Sequence, residues 1–144
     1  MRRPAAGRGA ERRPVDRLFL DANVLFSAAF RPDAGIARLW RLREVELISS
    51  SYAVEEARLN LETEVQHRRL ESLLAPLRIL TSVTVGTLPP GVELPEKDQP
   101  ILLAAMQARA THLLTGDRRH FGKYFNRRAG GILILPPEEY PLPI

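Results

Sequence analysis

Short apolar runs alternate along this chain with stretches of helical periodicity, and that alternation restricts its fold more than any other feature. Arg17-Leu-Phe-Leu20 ends in Asp21, Glu46-Leu-Ile-Ser49 and Leu77–Val83 follow, and further runs occupy 112–115 and 132–135. Short continuous apolar runs are the pattern of strands buried on both faces. Between them, residues 22–29 read as helical. Asp33, after Pro32, is placed to cap a helix bearing Ile36, Leu39, Trp40 and Val45. Ser50 or Ser51 caps the next, with a stripe of Val54, Ala57, Arg58 and Leu61, and another helix runs through Leu70, Leu73 and Leu74. The loop Thr87–Pro95 holds three prolines and leads to a helix at 99–109. Strands alternating with helices predict βαβ units: an α/β fold of three layers, α/β/α, around a central parallel sheet of about five strands. Reactive sites in such sheets lie beyond the carboxyl ends of the strands. Asp21 and Asp117 both follow predicted strands.

With 144 residues, 44% of them hydrophobic, the chain has enough apolar surface for one core. Its formal charge of +4 is unevenly spread: residues 1–17 hold six arginines against Glu11 and Asp16, and the remaining chain is neutral. Residues 1–15 are therefore expected to be a disordered basic tail, and 16–144 one domain. The tail's arginines can neutralise RNA phosphates, although an inert extension or a misplaced start codon fits a short basic terminus equally. There are no cysteines, which excludes disulfides, zinc fingers of the cysteine type and thiol catalysis. The longest apolar runs are far below the roughly 18 residues that span a bilayer, and no signal peptide is visible, so no membrane role and a cytoplasmic location are expected.

Four segments supply carboxylates: Leu20-Asp21-Ala22-Asn23, Val54-Glu55-Glu56-Ala57, Glu96-Lys97-Asp98-Gln99 and Thr115-Gly116-Asp117-Arg118. Each has an ordinary explanation. Asp21 and Asp98 can cap the helices that follow them, Asp117 can be a turn residue, and adjacent glutamates usually form a solvated helix face. Taken together, the expected topology brings Asp21, Asp98 and Asp117 to one edge of the sheet with a glutamate nearby. Carboxylates gathered within about 4–6 Å repel unless a cation compensates them. Hard oxygen ligands of this type suit Mg²⁺ or Mn²⁺.

Leu18-Phe-Leu-Asp-Ala-Asn-Val-Leu25, Ser50-Ser-Tyr-Ala-Val-Glu-Glu56, Lys97-Asp-Gln-Pro-Ile-Leu-Leu-Ala-Ala105 and Ala110-Thr-His-Leu-Leu-Thr-Gly-Asp-Arg-Arg-His-Phe121 resemble, in order, the motifs of PIN domains. The likeness covers about residues 17–136. It implies a metal-dependent endoribonuclease that hydrolyses RNA phosphodiester bonds, with Asp21, Glu56, Asp98 and Asp117 as metal-holding catalytic residues. Glu56 is favoured over Glu55 because the family's acidic ligand falls six residues after the serine. Asn23 and Thr115 are placed to orient ligands or water, beside the ordinary roles of helix-end and strand-end residues. One position departs from the pattern: some members carry a further acidic residue three positions after the Thr-Gly-Asp aspartate, and here it is His120. That puts in doubt how fully a second ion is held. Small PIN proteins also resemble VapC-type toxins, which implies an antitoxin partner and a homodimer.

An acidic pocket repels phosphate, so basic residues must flank it. Arg118, Arg119 and Lys123, with Arg127 and Arg128, are the candidates, each equally readable as a solvated charge. Phe121, Tyr124 and Phe125 can stack on bases or pack internally, and His67, His112 and His120 lack zinc-ligand spacing. Two other functions stay open. A non-catalytic PIN-like module binding RNA or protein is one. A Mg²⁺-dependent phosphatase is the other, and Asn23 stands against it, where such enzymes place a second aspartate. Glycine-rich nucleotide loops are missing.

Overall fold

In the computed structural model, which describes residues 15–82 and 86–141, six strands form one sheet. They are β1 (Asp16–Leu20), β2 (Val45–Ser50), β3 (Arg78–Leu80), β4 (His112–Leu114), β5 (Arg127–Ala129) and β6 (Ile132–Leu135), in the spatial order β3-β2-β1-β4-β6-β5. All neighbours are parallel except β5 and β6. The chain steps outward from β1 through β2 to β3, then returns to place β4 on the other side of β1. That reversal puts the crevice at the carboxyl ends of β1 and β4.

The helices are α1 (Ala22–Phe30), α2 (Ser51–Asn60), α3 (Glu64–Leu74), α4 (Gln99–Gln107) and the single turn α5 (Arg118–Phe121). Parallel crossovers are right-handed, so units stepping in opposite directions along the sheet set their helices on opposite faces. Accordingly α1 packs against α2 and α3, and α4, on the return crossover, packs against β2 and β4. Phe19, Leu20, Ile48, Leu113 and Leu114 are fully buried in the central strands, and burial of each such side chain contributes about 1.5–3 kcal/mol. Local signals agree with this packing. The Ser50 hydroxyl accepts from Ala53 N to cap α2, and Thr63 with Gln66 forms a reciprocal capping box at the start of α3.

The α/β architecture and parallel core are those expected from the alternation, and three details differ. First, the sheet gains an antiparallel edge strand. Ala129 pairs with Ile132 across Gly130-Gly131, both at positive φ (58° and 81°), the two-residue hairpin turn that matches strand twist. Second, Gly35–Arg41 winds as a 3₁₀ helix with Ala34 at its N-cap and no side-chain cap, so Asp33 does not play the capping role expected of it. Asp33 instead lies exposed, 3.9 Å from Arg31. Trp40 ties this turn to α3 by donating to Leu73 O at 2.8 Å. Third, the strand expected at 77–83 covers only 78–80 among the described residues. The tail expected to be disordered at 1–15 falls, save Val15, outside the described residues.

Phe121 closes α5 and is completely buried, whereas Leu59 on α2 is 76% exposed. Phe121→Ala should lower the unfolding free energy by about 3–5 kcal/mol in urea titrations. Leu59→Ser should stay within about 0.5 kcal/mol of the parent.

Candidate metal centre

The site begins where β1 and β4 end side by side. Leu20 pairs directly with Leu114, and the Asp21 N–H continues the ladder by donating to Leu114 O at 3.1 Å. Asp21 then starts α1 as its N-cap, and its Oδ1 accepts from Ala22 N at 2.6 Å. The helix-capping explanation of Asp21 is therefore correct for one of its oxygens. The other, Oδ2, accepts from the Thr115 hydroxyl at 2.7 Å and from Asn23 Nδ2 at 3.2 Å. The same two side chains shape the next turn: Thr115 Oγ1 accepts from Asp117 N at 3.1 Å, and Asn23 Oδ1 accepts from Gly116 N at 2.7 Å. A Cβ at position 116 would sit 3.3 Å from that Asn23 oxygen, which accounts for glycine there.

Asp21 is 5% exposed. Burial pushes its carboxyl pKa up to about 6, the bonds from Thr115 and Ala22 pull against it, and the nearby charges of Glu56 and Asp98 push it further up. Asp98, 8% exposed, comes from the start of α4. It occupies the N-cap position without a side-chain capping bond, so the ordinary explanation offered for it does not hold. Its Oδ1 lies 3.7 Å from Lys97 Nζ, and its Oδ2 is fully buried with no hydrogen-bond partner.

Asp117 caps α5, accepting from His120 N at 3.1 Å on Oδ1, and its Oδ2 lies 2.9 Å from His120 Nδ1. Burial pushes the Asp117 carboxyl up, but the backbone and ring bonds from His120 and the neighbouring charges of His120 and Lys97 outweigh it, and the net shift is downward. His120 Nδ1 also stands 3.1 Å from the orphaned Asp98 Oδ2 without hydrogen-bonding geometry. Ligand atoms of Asp98, Asp117 and His120 all lie within 4.8 Å of one another. An oxygen-rich group holding one buried, unpartnered carboxylate oxygen fits a divalent cation.

Glu56 is exposed on α2 and lines a cleft of about 320 Å³ with Ala22, Asn23, Phe26, Ala57 and Asn60. It faces Asp21 closely enough to raise that carboxyl's pKa. Glu55 instead pairs with Arg58 at 3.0 Å. Of the basic candidates, Arg118 is held by Glu138 at 2.7 Å and lies over the Phe125 ring, Lys123 lies over Tyr124, and Arg119 is exposed. Phe121 is core, and the Tyr124 hydroxyl is bound to the backbone of Glu93. His120 is the residue that sequence reasoning left out of the site. Its signal was the Asp117-x-x-His120 spacing, which returns a ring to its own N-cap at i,i+3.

The PIN domain profile matches residues 17–119. The chain belongs to the PIN domain family. No curated protein sequence matches it. Among solved structures, the chain is similar to VapBC2 from Rickettsia felis, determined bound to a DNA fragment from its promoter. The two share 14% identity with a TM-score of 0.59, over 83% of this chain and 98% of that one. It is also similar to VapC20 of Mycobacterium tuberculosis, a toxin that cleaves the sarcin-ricin loop. There the identity is 13% and the TM-score 0.53, over 78% of this chain and 98% of the other. At these identities the likeness is one of fold. The PIN profile nonetheless spans every acidic segment named above, from Asp21 to Asp117.

Because the folded pKa of Asp21 is raised from 3.8 to about 6, its ionised form opposes folding. The sign follows from linkage: the penalty is absent below pH 3.8, grows between 3.8 and about 6, and is complete above that. Asp21→Asn should therefore stabilise the metal-free protein by up to about 3 kcal/mol near pH 8. The gain should shrink toward zero as the pH falls to about 4, read from urea unfolding at a series of pH values.

Proposed function

We propose that this PIN domain is a metal-dependent endoribonuclease whose centre is formed by Asp21, Glu56, Asp98 and Asp117. The observation that carries the reading is the buried, unpartnered Asp98 Oδ2 beside Asp117, at the switch point of the sheet. A helix cap would direct that oxygen to a backbone N–H of the first turn of α4, and no such bond is made. The raised pKa of Asp21 supports the same reading, since a cation offsets the penalty of ionising a carboxylate there.

Asp98 and Asp117 would hold Mg²⁺ or Mn²⁺, and Glu56 would complete the centre together with Asp21, whose carboxyl feels the charges of Glu56 and Asp98. A divalent cation held there would supply a water of lowered pKa for attack on phosphorus and would offset charge developing on the phosphoryl oxygens. Thr115 and Asn23 fix Asp21 from two sides, so that its carboxylate does not rotate away. Arg119 and Lys123 steer the RNA backbone toward the acidic pocket. Arg118 joins them only by giving up Glu138. The fold shared with VapC proteins favours a cytoplasmic toxin that acts as a homodimer and is restrained by an antitoxin protein. RNA is the expected substrate.

Purified full-length protein should cleave RNA with Mn²⁺ or Mg²⁺ and lose the activity in chelator. Asp21→Asn and Asp98→Asn should each reduce the single-turnover rate by about 100-fold or more, of the order seen when a charge-stabilising group is removed. Equal cleavage by the parent and both variants would indicate a contaminant and end the assignment. RNA binding without cleavage in either metal would favour the non-catalytic module.

A further inference from the structure

We propose that His120 is itself a metal ligand through Nδ1, and that it makes the centre selective for a transition-metal dication such as Mn²⁺ over Mg²⁺. The inference rests on the reading that Asp98 and Asp117 hold a divalent cation. It adds a nitrogen to a set that the sequence presents as all oxygen.

One geometric conflict carries the argument. His120 Nδ1 lies 2.9 Å from Asp117 Oδ2 and 3.1 Å from Asp98 Oδ2. An ionised carboxylate only accepts, so in the metal-free arrangement Nδ1 carries a hydrogen and directs it at Asp117. With that hydrogen aimed at Asp117, Nδ1 stands 3.1 Å from Asp98 Oδ2 without hydrogen-bonding geometry, and this buried oxygen has no hydrogen-bond partner among the described residues. A cation between the three atoms serves both carboxylates and the ring together. Bonds of about 2.1 Å, the octahedral distance of Mg²⁺ and close to that of Mn²⁺, put ligand atoms on adjacent corners about 3.0 Å apart. The two observed separations fall on either side of that value, so the spacing admits either ion and the choice between them falls to the nitrogen. In the coordinated state Nδ1 presents its lone pair, and the hydrogen of the neutral ring sits on Nε2.

The surroundings hold the ring for this purpose. His120 follows Asp117 by three residues on α5, its own N–H is bound to Asp117 Oδ1, and the adjacent Phe121 anchors the turn in the core. Lys97 Nζ lies 3.7 Å from Asp98 Oδ1, and the other oxygen of that carboxylate faces the ring. Imidazole suits the transition metals, most strongly Fe, Ni, Cu and Zn. Mn²⁺ shares the oxygen preference of Mg²⁺ but, as a d-block ion, accepts a nitrogen ligand at less cost than Mg²⁺, which takes oxygen ligands and keeps its waters. A ring at this position therefore discriminates where a carboxylate would not.

The test uses the full chain loaded with Mn²⁺ and read by pulsed electron paramagnetic resonance, which detects a nitrogen bonded to the metal. The parent protein should show ¹⁴N coupling, and His120→Asp and His120→Asn should both lose it. Competition between Mn²⁺ and Mg²⁺ should show the affinity ratio falling by about tenfold in His120→Asp. Mn²⁺ bound without ¹⁴N coupling in the parent, or coupling that persists in both variants, overturns the inference while leaving the nuclease reading intact. An unchanged metal preference in a folded variant overturns the selectivity claim. Failure of the parent to bind either ion removes the inference and the proposed metal centre together.

Discussion

Asp21 N donates to Leu114 O at 3.1 Å, extending the pairing of β1 with β4 by one residue beyond the last strand pair, Leu20 with Leu114. Everything at the site depends on that junction. Parallel pairing makes both strands end on the same side, so the chain leaving β1 and the chain leaving β4 turn away from the sheet within reach of each other. Asp21 then spends one oxygen on starting its own helix and the other on Thr115, and Thr115 in turn accepts from Asp117 N. Two segments more than ninety residues apart in sequence are thereby fixed at their carboxylates. Their spacing follows from the ladder and not from a flexible loop.

This junction has an electrostatic consequence. Closing the ends of two buried strands over a carboxylate takes it out of water, and Asp21 is left with a pKa raised to about 6. Asp117, partly open to solvent and bonded by His120, shifts the other way. Two aspartates joined through one threonine thus sit in opposed environments, set by burial on one side and by hydrogen-bond donors on the other. Asp98 adds a third carboxylate, one of whose oxygens no donor among the described residues satisfies. Burying such an oxygen without a hydrogen-bond donor costs free energy, and His120 Nδ1 stands 3.1 Å from it.

The parallel core was legible because strands covered on both faces need continuous apolar runs, and β1, β2, β4 and β6 have them. β5 escaped notice for the converse reason: Arg127 and Arg128 are exposed at the sheet's edge, and a strand there carries charge without penalty. The sign that it pairs is the Gly130-Gly131 dipeptide ahead of Ile132, a hairpin signal that the charges overshadowed. The 3₁₀ segment was misread because Ile36, Leu39 and Trp40 satisfy either period over so short a stretch, and only packing against α3 decides. At the site, Asp21 and Asp117 could be placed from strand ends alone. Asp98 could not, since an aspartate before a proline-bearing helix start reads as a cap until the side chain is seen to make no capping bond.

Side-chain pairing also separates residues that composition treats alike. Glu55 and Glu56 are adjacent and both exposed, yet Glu55 is tied to Arg58, which also holds Glu71, whereas Glu56 lines the cleft and acts on Asp21. Arg118 and Arg119 are adjacent as well, and of the two only Arg118 has an ion pair among the described residues, with Glu138. A charge already matched on the surface contributes little field to an incoming phosphate, because its partner cancels it within a Debye length. The neutral balance of residues 18–144 therefore conceals a local asymmetry. Beyond the strand ends, the one orphaned oxygen among the described residues, Asp98 Oδ2, faces His120, while Arg118 and Arg119 on α5 and Lys123 just after it carry positive charge nearby in sequence. On the proposed reading, the exposed Arg119 and Lys123 would supply the field that draws a polyanion toward that edge, and a bound cation would offset the repulsion of the acids.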